Sequence, residues 1–176
     1  DEANNLRAVL LGPDLVVTST TVPATAGIGQ ELALAWTVAN QGPVSTTGGS
    51  WWDEVFLSSD DRFDASDTLL ASASHEGAVA AGGSYARSQD VFLPTGRQGP
   101  LFLLFLTDRN DAELERDETN NVRAVPITIT APDLAVTVTT APPTAGLGQQ
   151  LTLAWTVTNV GETSTTAGSW SDQVFL

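Results

Sequence analysis

The clearest pattern of hydrophobic and polar positions is a strict alternation over residues 30–40. Every second side chain there is apolar, namely Leu32, Leu34, Trp36 and Val38. Successive side chains of a strand point to opposite faces, so this period of two predicts a half-buried β-strand. Glycine- and proline-containing stretches at 22–29 and 42–50 flank the segment and indicate turns.

Six further segments carry strand patterns. They cover residues 14–21, 51–58, 68–75, 84–93, 100–107 and 121–130. Residues 100–107 (PLFLLFLT) are almost wholly apolar, so we expect this strand in the centre of a sheet with both faces covered. We expect 68–75 near an edge. Pro126 cannot donate to a β-ladder, so the last strand should lie at an edge or break there.

The same pattern occurs twice in the chain. Residues 13–57 and 132–176 align over 45 positions without a gap, 31 of them identical, at an offset of 119 residues. Residues 1–9 (DEANNLRAV) also match 117–125 (DETNNVRAV). A period of this length suits one small domain per copy. We therefore divide the chain into the last strand of a preceding copy (1–12), a complete copy (13–131) and the first three strands of a next copy (132–176).

Seven short strands in one copy predict an all-β fold, an immunoglobulin- or fibronectin-like Greek-key β-sandwich in a tandem array. Trp36 and Trp51 recur in the second copy as Trp155 and Trp170, and we expect them in the core. Trp52 does not recur and is expected at the surface. In the last strand, the expected core residues are Val122, Ala124, Ile127 and Ile129.

Short connections between copies predict a stiff rod, because a junction without a Gly/Ser-rich spacer restricts hinge motion. From Asn121 to Pro132 is 11 residues, whereas from Asn5 to Pro13 is 8, so the two joints should differ in angle. The incomplete copy at 132–176 lacks a partner sheet for its apolar face. We expect another copy of the chain, as in a fibre, or sequence beyond either end of this chain, to cover that face.

Composition narrows the partners and the compartment. The chain has no Cys, Met or Lys, and its 21 acidic residues face seven arginines, for a net charge of −14. This charge disfavours nucleic acid and anionic membrane surfaces as partners. No apolar run reaches the about 18 residues needed to insert into a membrane. An acidic, cysteine-free β-repeat favours an extracellular or cell-surface location in a prokaryote.

Two predicted loops concentrate the acidic residues and are candidate calcium sites. Ca²⁺ takes about six to eight oxygen ligands, and neither loop has the glycine and spacing of an EF-hand. The candidate ligands are Asp108, Asn110, Asp111, Glu113, Glu115, Asp117 and Glu118 in the first loop, and Asp60, Asp64 and Asp67 in the second. If both loops lie at one end of the sandwich, they could share an ion. The alternative is that these side chains accept hydrogen bonds from the backbone and shape the loops.

Other motifs favour binding or structure over catalysis. Gly27-Ile28-Gly29 and Gly146-Leu147-Gly148 indicate turns, because a dinucleotide site needs a third glycine and a βαβ unit. His75 is the single histidine and no G-x-S-x-G motif is present, so we expect no enzyme activity. Trp52, Phe56 and Phe63 are the residues that could form a stacking platform for a glycan.

An ordered series of segments resembles the cell-adhesion-related domain found in bacteria, CARDB. The segments are PDL, LALAWTVANQG, SWWDEVFLSSD, DTLL, GSYARS and LTDRN…ERDETNNV. The resemblance implies an immunoglobulin-like sandwich in large secreted or surface-attached prokaryotic proteins. We therefore expect a structural repeat of an adhesin, extracellular filament or surface layer, acting as a stiff spacer and assembly module with other copies of the same chain. The alternative is a glycan- or protein-binding accessory module attached to a catalytic domain.

Overall fold

The computed structural model describes residues 11–165 and 167–175, so most of the expected strand at 1–12 lies outside the described residues. The described residues form ten strands: β1 Leu15–Thr21, β2 Thr25–Gly27, β3 Glu31–Asn40, β4 Ser50–Ser58, β5 Thr68–Glu76, β6 Ser84–Phe92, β7 Gly99–Leu106, β8 Val122–Thr130, β9 Leu134–Thr140 and β10 Ala154–Asn159. Within these same ranges, no helix is long and apolar enough to cross a membrane. The seven strands expected between 13 and 131 all form, and β2 is additional.

Strands β1 to β8 form two facing sheets. One has the order β1-β3-β6 and the other β2-β8-β7-β4-β5. The chain changes sheet at every step from β1 to β8 except from β4 to β5 and from β7 to β8, so most consecutive strands lie in different sheets. All pairs are antiparallel apart from the short parallel pair of β2 with β8. The all-β sandwich predicted from the strand pattern is confirmed.

The core lies between the two sheets and follows the alternation of the strands. From the first sheet it receives the apolar positions of β3, and from the second those of β4 and β7. Trp36 packs across the gap on Phe105 with ring centroids 5.7 Å apart. Trp36 and Trp51 are both buried, and Trp52 is 45% exposed, all as predicted.

Strand β7 is central, and both its faces are covered, as its apolar sequence predicts. It lies between β4 and β8. Leu103 and Phe105 face the main core. Leu104 and Leu106 face outward into a second cluster, where Phe56 and Phe63 cover them. The outer face of this sheet is therefore partly a core of its own.

Two of the four residues expected to lie in the core from β8 do not. Ile127 and Ile129 are buried in the main core. Val122 is 40% exposed and Ala124 packs on the outer cluster, because even and odd positions of one strand point to opposite faces. Pro126 lies where β8 pairs with β7 only, since β2 reaches no further than Thr128, so the predicted edge position is confirmed.

Strands β9 and β10 reproduce the pairing of β1 with β3. Leu15 pairs with Asn40, and Leu134 pairs with Asn159, at the same offset of 119 residues. The irregularity between Val17 and Ser19 also recurs 119 residues later, between Val136 and Val138. The two copies therefore share local structure as well as sequence.

The expected third strand of the second copy does not form among the described residues. In the first copy, β4 pairs only with β5 and β7. Among the described residues, 170–175 pair with no other strand. Strand β10 starts at Ala154, and the residues of β3 that precede the equivalent position pair with β6 alone.

Candidate functional site

The two acidic loops leave the five-stranded sheet at opposite ends. Residues 107–121 connect β7 to β8, and residues 59–67 connect β4 to β5. Strands β4 and β7 are antiparallel, with Ser58 opposite Phe102, so the two loops start at opposite ends of the sheet. Phe63 of the shorter loop nevertheless reaches the longer loop, where the Arg109 guanidinium lies 5.1 Å from its ring. Among the described residues, no three acidic or histidine side chains of the two loops come together, so the structure gives no support to an ion shared between them. The longer loop packs against the start of β1, where Arg116 N donates to Pro13 O at 2.8 Å.

Asp108 caps the first turn of the longer loop. Its backbone is left-handed, with φ 43°, and its side chain is buried. Its two carboxylate oxygens accept hydrogen bonds from the backbone nitrogens of Ala112 at 2.9 Å and Glu113 at 2.8 Å. Burial raises the pKa of this carboxyl above its usual range. Asp108 therefore uses both oxygens within the loop.

Glu113 ties the loop to the connection between β3 and β4. It is 1% exposed, and both its oxygens accept from Thr47 N, at 3.1 and 3.0 Å. Oε1 also accepts from the Thr47 hydroxyl at 2.6 Å. The carboxylate thus satisfies donors on a segment that lies 66 residues away in sequence.

Glu115 ties the same loop to the first strand. One oxygen accepts from Leu15 N and the other from Asn121 Nδ2 at 3.0 Å. Its own backbone nitrogen donates to Glu118 Oε1 at 2.8 Å. Burial raises the pKa of Glu115 to about 7, against the lowering effect of its two donors. The charge of Glu115 therefore changes near neutral pH.

The remaining candidates of the longer loop are exposed. Asp117 Oδ1 accepts from Thr119 N at 2.9 Å and from its hydroxyl at 2.6 Å, and these bonds lower the pKa of Asp117. Asn110 and Asp111 lie at the exposed tip, and Asp111 has a left-handed backbone with φ 50°. These side chains are the ones with access to solvent cations.

The acids of the shorter loop make local turns. Asp60 Oδ1 accepts from Arg62 N at 2.9 Å, and Asp64 Oδ1 accepts from Ser66 N at 2.7 Å. Asp67 Oδ2 accepts from Asp64 N at 2.8 Å. The hydrogen bonds to Ser66 lower the pKa of Asp64. Each of the three predicted ligands therefore has a structural partner two or three residues away.

The hydrogen bonds favour the structural interpretation of both loops, because their carboxylates already serve backbone donors. In the part of the chain that the structure describes, no three acidic or histidine side chains gather in a way that could hold a metal ion. The calcium hypothesis itself stays a prediction.

A buried polar cluster beside β5 and β6 was missed by the sequence reasoning. Asp53 is fully buried, and its Oδ1 accepts from the Tyr85 hydroxyl at 3.0 Å and the Thr107 hydroxyl at 2.8 Å. Arg87 Nε lies 3.7 Å from the other oxygen. Burial raises the pKa of Asp53 in spite of these partners. An acid at a core-facing position of a strand, which recurs as Asp172, was the available signal.

His75 belongs to the same cluster and has a packing role. Its ring stacks on Tyr85 at 3.9 Å and on Trp51 at 4.4 Å between centroids. Burial and the nearby Arg87 lower the pKa of His75, so the ring is neutral at pH 7. Trp51 Nε1 donates to the Tyr85 hydroxyl at 2.9 Å, which joins the stack to the Asp53 network.

The three aromatic residues considered as a glycan platform do not form one. Phe56 and Phe63 pack on each other with centroids 4.7 Å apart. The Arg109 guanidinium lies 5.1 Å from the Phe63 ring and pairs with Glu54 at 3.1 Å. These contacts close the outer cluster, so Trp52 alone presents an open ring face.

The fold and loops define a β-sandwich module whose polar residues are used mainly to hold strands and loops together. A sequence profile of the CARDB family matches residues 12–125, and the chain belongs to this family. CARDB is a non-catalytic type of domain.

Solved structures of the CARDB domain of the PF1109 protein from Pyrococcus furiosus are similar to this chain. The crystal structure, described as a complex with di-metal ions, has a TM-score of 0.53 at 17% identity and covers 73% of this chain and 98% of its own. The solution structure has a TM-score of 0.52 at 18% identity and covers 68% of this chain and 97% of its own. At this identity the similarity establishes the fold. No curated protein matches the chain.

Proposed function

We propose that the protein is a structural module of a large secreted or surface-attached prokaryotic protein, such as an adhesin, an extracellular filament or a surface layer. Copies of the sandwich follow one another and act as a stiff spacer and assembly unit. The observation that carries this proposal is the recurrence of the β1–β3 pairing in β9–β10, residue for residue at an offset of 119.

The recurrence extends to the side chains that shape the entry of each copy. Asn40 Oδ1 accepts from the backbone nitrogens of Asp14 and Gly42, each at 3.0 Å. Asn159 Oδ1 accepts from the equivalent nitrogens, of Asp133 at 3.0 Å and Gly161 at 3.1 Å. Residues 132–159 thus have a local structure similar to that of residues 13–40, although, among the described residues, β9 and β10 pair only with each other. This similarity supports the interpretation of 132–176 as the start of another copy.

The connection between the copies supports stiffness. Strand β8 ends at Thr130 and β9 begins at Leu134, so only three residues separate them, and one is Pro132. Proline fixes its own backbone angle φ and restricts the residue before it. A joint of this length has few free torsions, unlike a flexible linker.

The test of surface display is labelling of intact cells of the source organism with an antibody against residues 13–131. We expect labelling without permeabilisation, and removal of the signal by external protease. Labelling that requires permeabilised cells would contradict the proposal. An internal protein of the same cells, labelled only after permeabilisation, is the control.

Calcium binding by the longer loop is a second proposal. The related PF1109 domain was solved with di-metal ions, and Asp111 and Asp117 here are exposed carboxylates of this loop. Thermal unfolding with and without a calcium chelator tests it, and an unchanged melting temperature would remove it.

A further inference from the structure

The two glycines of Gly27-Ile28-Gly29 serve different purposes. Gly29 has φ 68° and its counterpart Gly148 has φ 73°, in the left-handed region that glycine adopts without strain. Gly27 and Gly146 lie outside that region. Backbone conformation therefore explains why residues 29 and 148 are glycines. It does not explain why residues 27 and 146 are.

The reason for Gly27 lies in the following copy. A Cβ on Gly27 would stand 2.6 Å from Thr163 Cγ2, closer than carbon atoms approach one another. Beside this contact, the hydroxyls of Thr163 and Thr130 are hydrogen-bonded to each other. Thr130 is also the residue of β8 that pairs with Gly27. The missing side chain at Gly27 thus makes room for Thr163.

Both sides of this contact are held in place by their own copy. On the first side, Gly27 N donates to Gln30 Oε1 at 2.8 Å, and Ile28 N donates to Thr130 O at 2.9 Å. On the second side, Thr163 O accepts from Asn159 Nδ2 at 2.8 Å. Hydrogen bonds within each copy therefore fix the backbone on both sides of the contact.

We propose that Gly27 and Thr130 form a seat for the turn around Thr163 of the next copy, and that this seat sets the angle of the joint. The copies are then attached at two points, through the chain at 131–133 and through the seat. Two separated attachments restrict rotation that one alone permits. This inference rests on the proposed repeat organisation. Gly146 would offer the same seat to a copy joined behind residues 132–176.

The chain contains its own matched control. Gly146 occupies the same place in the same turn, and a Cβ there would meet only Gln149 Oε1, at 3.6 Å. Gly27→Ala and Gly146→Ala therefore make the same local change, but only the first presses on the joint. Thr163→Ser removes the clashing Cγ2 and keeps the hydroxyl. The nearest remaining atoms to an alanine at 27 would then be Thr163 Oγ1 at 3.5 Å and Gln30 Oε1 at 3.6 Å.

The experiment measures the distance between two spin labels on the 176-residue chain. The protein has no cysteine, so Glu76→Cys and Thr144→Cys place one label on an exposed site of each copy. We expect one narrow distance distribution for the parent, a shifted or broadened one for Gly27→Ala, and the parental one for Gly146→Ala. Adding Thr163→Ser to Gly27→Ala should restore the parental distribution.

Two results would overturn the seat. One is a broad distribution in the parent, and the other is a Gly27→Ala distribution equal to that of Gly146→Ala. Thermal unfolding of each variant checks that residues 13–131 remain folded. Neither result bears on cell-surface labelling, so failure of the seat and failure of the proposed function are distinguishable.

Discussion

Glu113 offers the sharpest test of what the acidic loop does. Its carboxylate accepts the backbone N–H and the hydroxyl of Thr47. Hydrogen bonds to a charged group contribute about 1.5–3 kcal/mol each when buried, and less when solvent can replace them. Thr47 is exposed, and glutamine keeps one acceptor oxygen. We therefore expect Glu113→Gln to lower the free energy of unfolding by about 1–2 kcal/mol.

The control is Asp111→Asn in the same loop. It removes one negative charge as well, from an exposed side chain on a left-handed residue, where asparagine is tolerated. In the calcium chelator, we expect its effect to stay within about 0.5 kcal/mol. Because Trp36 and Trp51 are buried, tryptophan fluorescence during urea unfolding reports the loss of the core.

The measurement is made in a calcium chelator and again with added calcium. A structural Glu113 stabilises the fold equally in both conditions, because its donors belong to the protein. If Glu113→Gln matches Asp111→Asn in the chelator and becomes worse only when calcium is added, the reasoning is refuted and Glu113 is a metal ligand.

Three further predictions follow from individual contacts. Glu115 has a pKa raised to about 7, so the folded chain holds a proton that the unfolded chain releases between about pH 4.5 and 7. The contribution of Glu115 to stability is therefore greatest at low pH and falls as pH rises through 7. Measured by calorimetry, the free energy of unfolding of Glu115→Gln relative to that of the parent should rise by up to about 3 kcal/mol from pH 5 to 8. A difference that does not change with pH would contradict this prediction. Asn40→Ala removes four hydrogen bonds of a fully buried amide and should lower the free energy of unfolding by about 3 kcal/mol or more. Asn159→Ala, at the equivalent position of the second segment, should leave the unfolding of residues 13–131 unchanged in urea titrations. If calcium binds the exposed loop tip, chelation should lower the melting temperature of the parent, and Asp111→Asn should reduce that response.

The strands were predictable because their periodicity is local. Short β2 was not, since its three residues are fixed by Thr128 to Thr130, more than 100 positions further along the chain. The strand expected at 170–175 does not form among the described residues, and its counterpart β4 is held by the distant strands β5 and β7. Alternation predicted the buried positions of β3 well. Val122 and Ala124 have the opposite parity to Ile127 and Ile129, so they face away from the main core.

The position of the acidic loop could be predicted from the sequence, but the hydrogen bonds that its carboxylates accept could not. Sequence spacing shows the acids, but it does not show which donors they meet. Glu113 meets Thr47 and Glu115 meets Leu15, separations of 66 and 100 residues. Asp53 is not predicted from its spacing to other acids, but Trp51, Val55 and Leu57 share its core-facing parity and mark it as a buried carboxyl.

The proposed stiffness of a repeat array is tested most directly by small-angle X-ray scattering of chains with two, three and four copies of residues 13–131. A nine-residue strand such as β8 spans about 30 Å, so each copy should add a constant increment of roughly 30–40 Å to the maximum dimension. Linear growth with copy number is the predicted result. Growth of the radius of gyration as roughly the square root of copy number, as for freely hinged domains, would contradict the account.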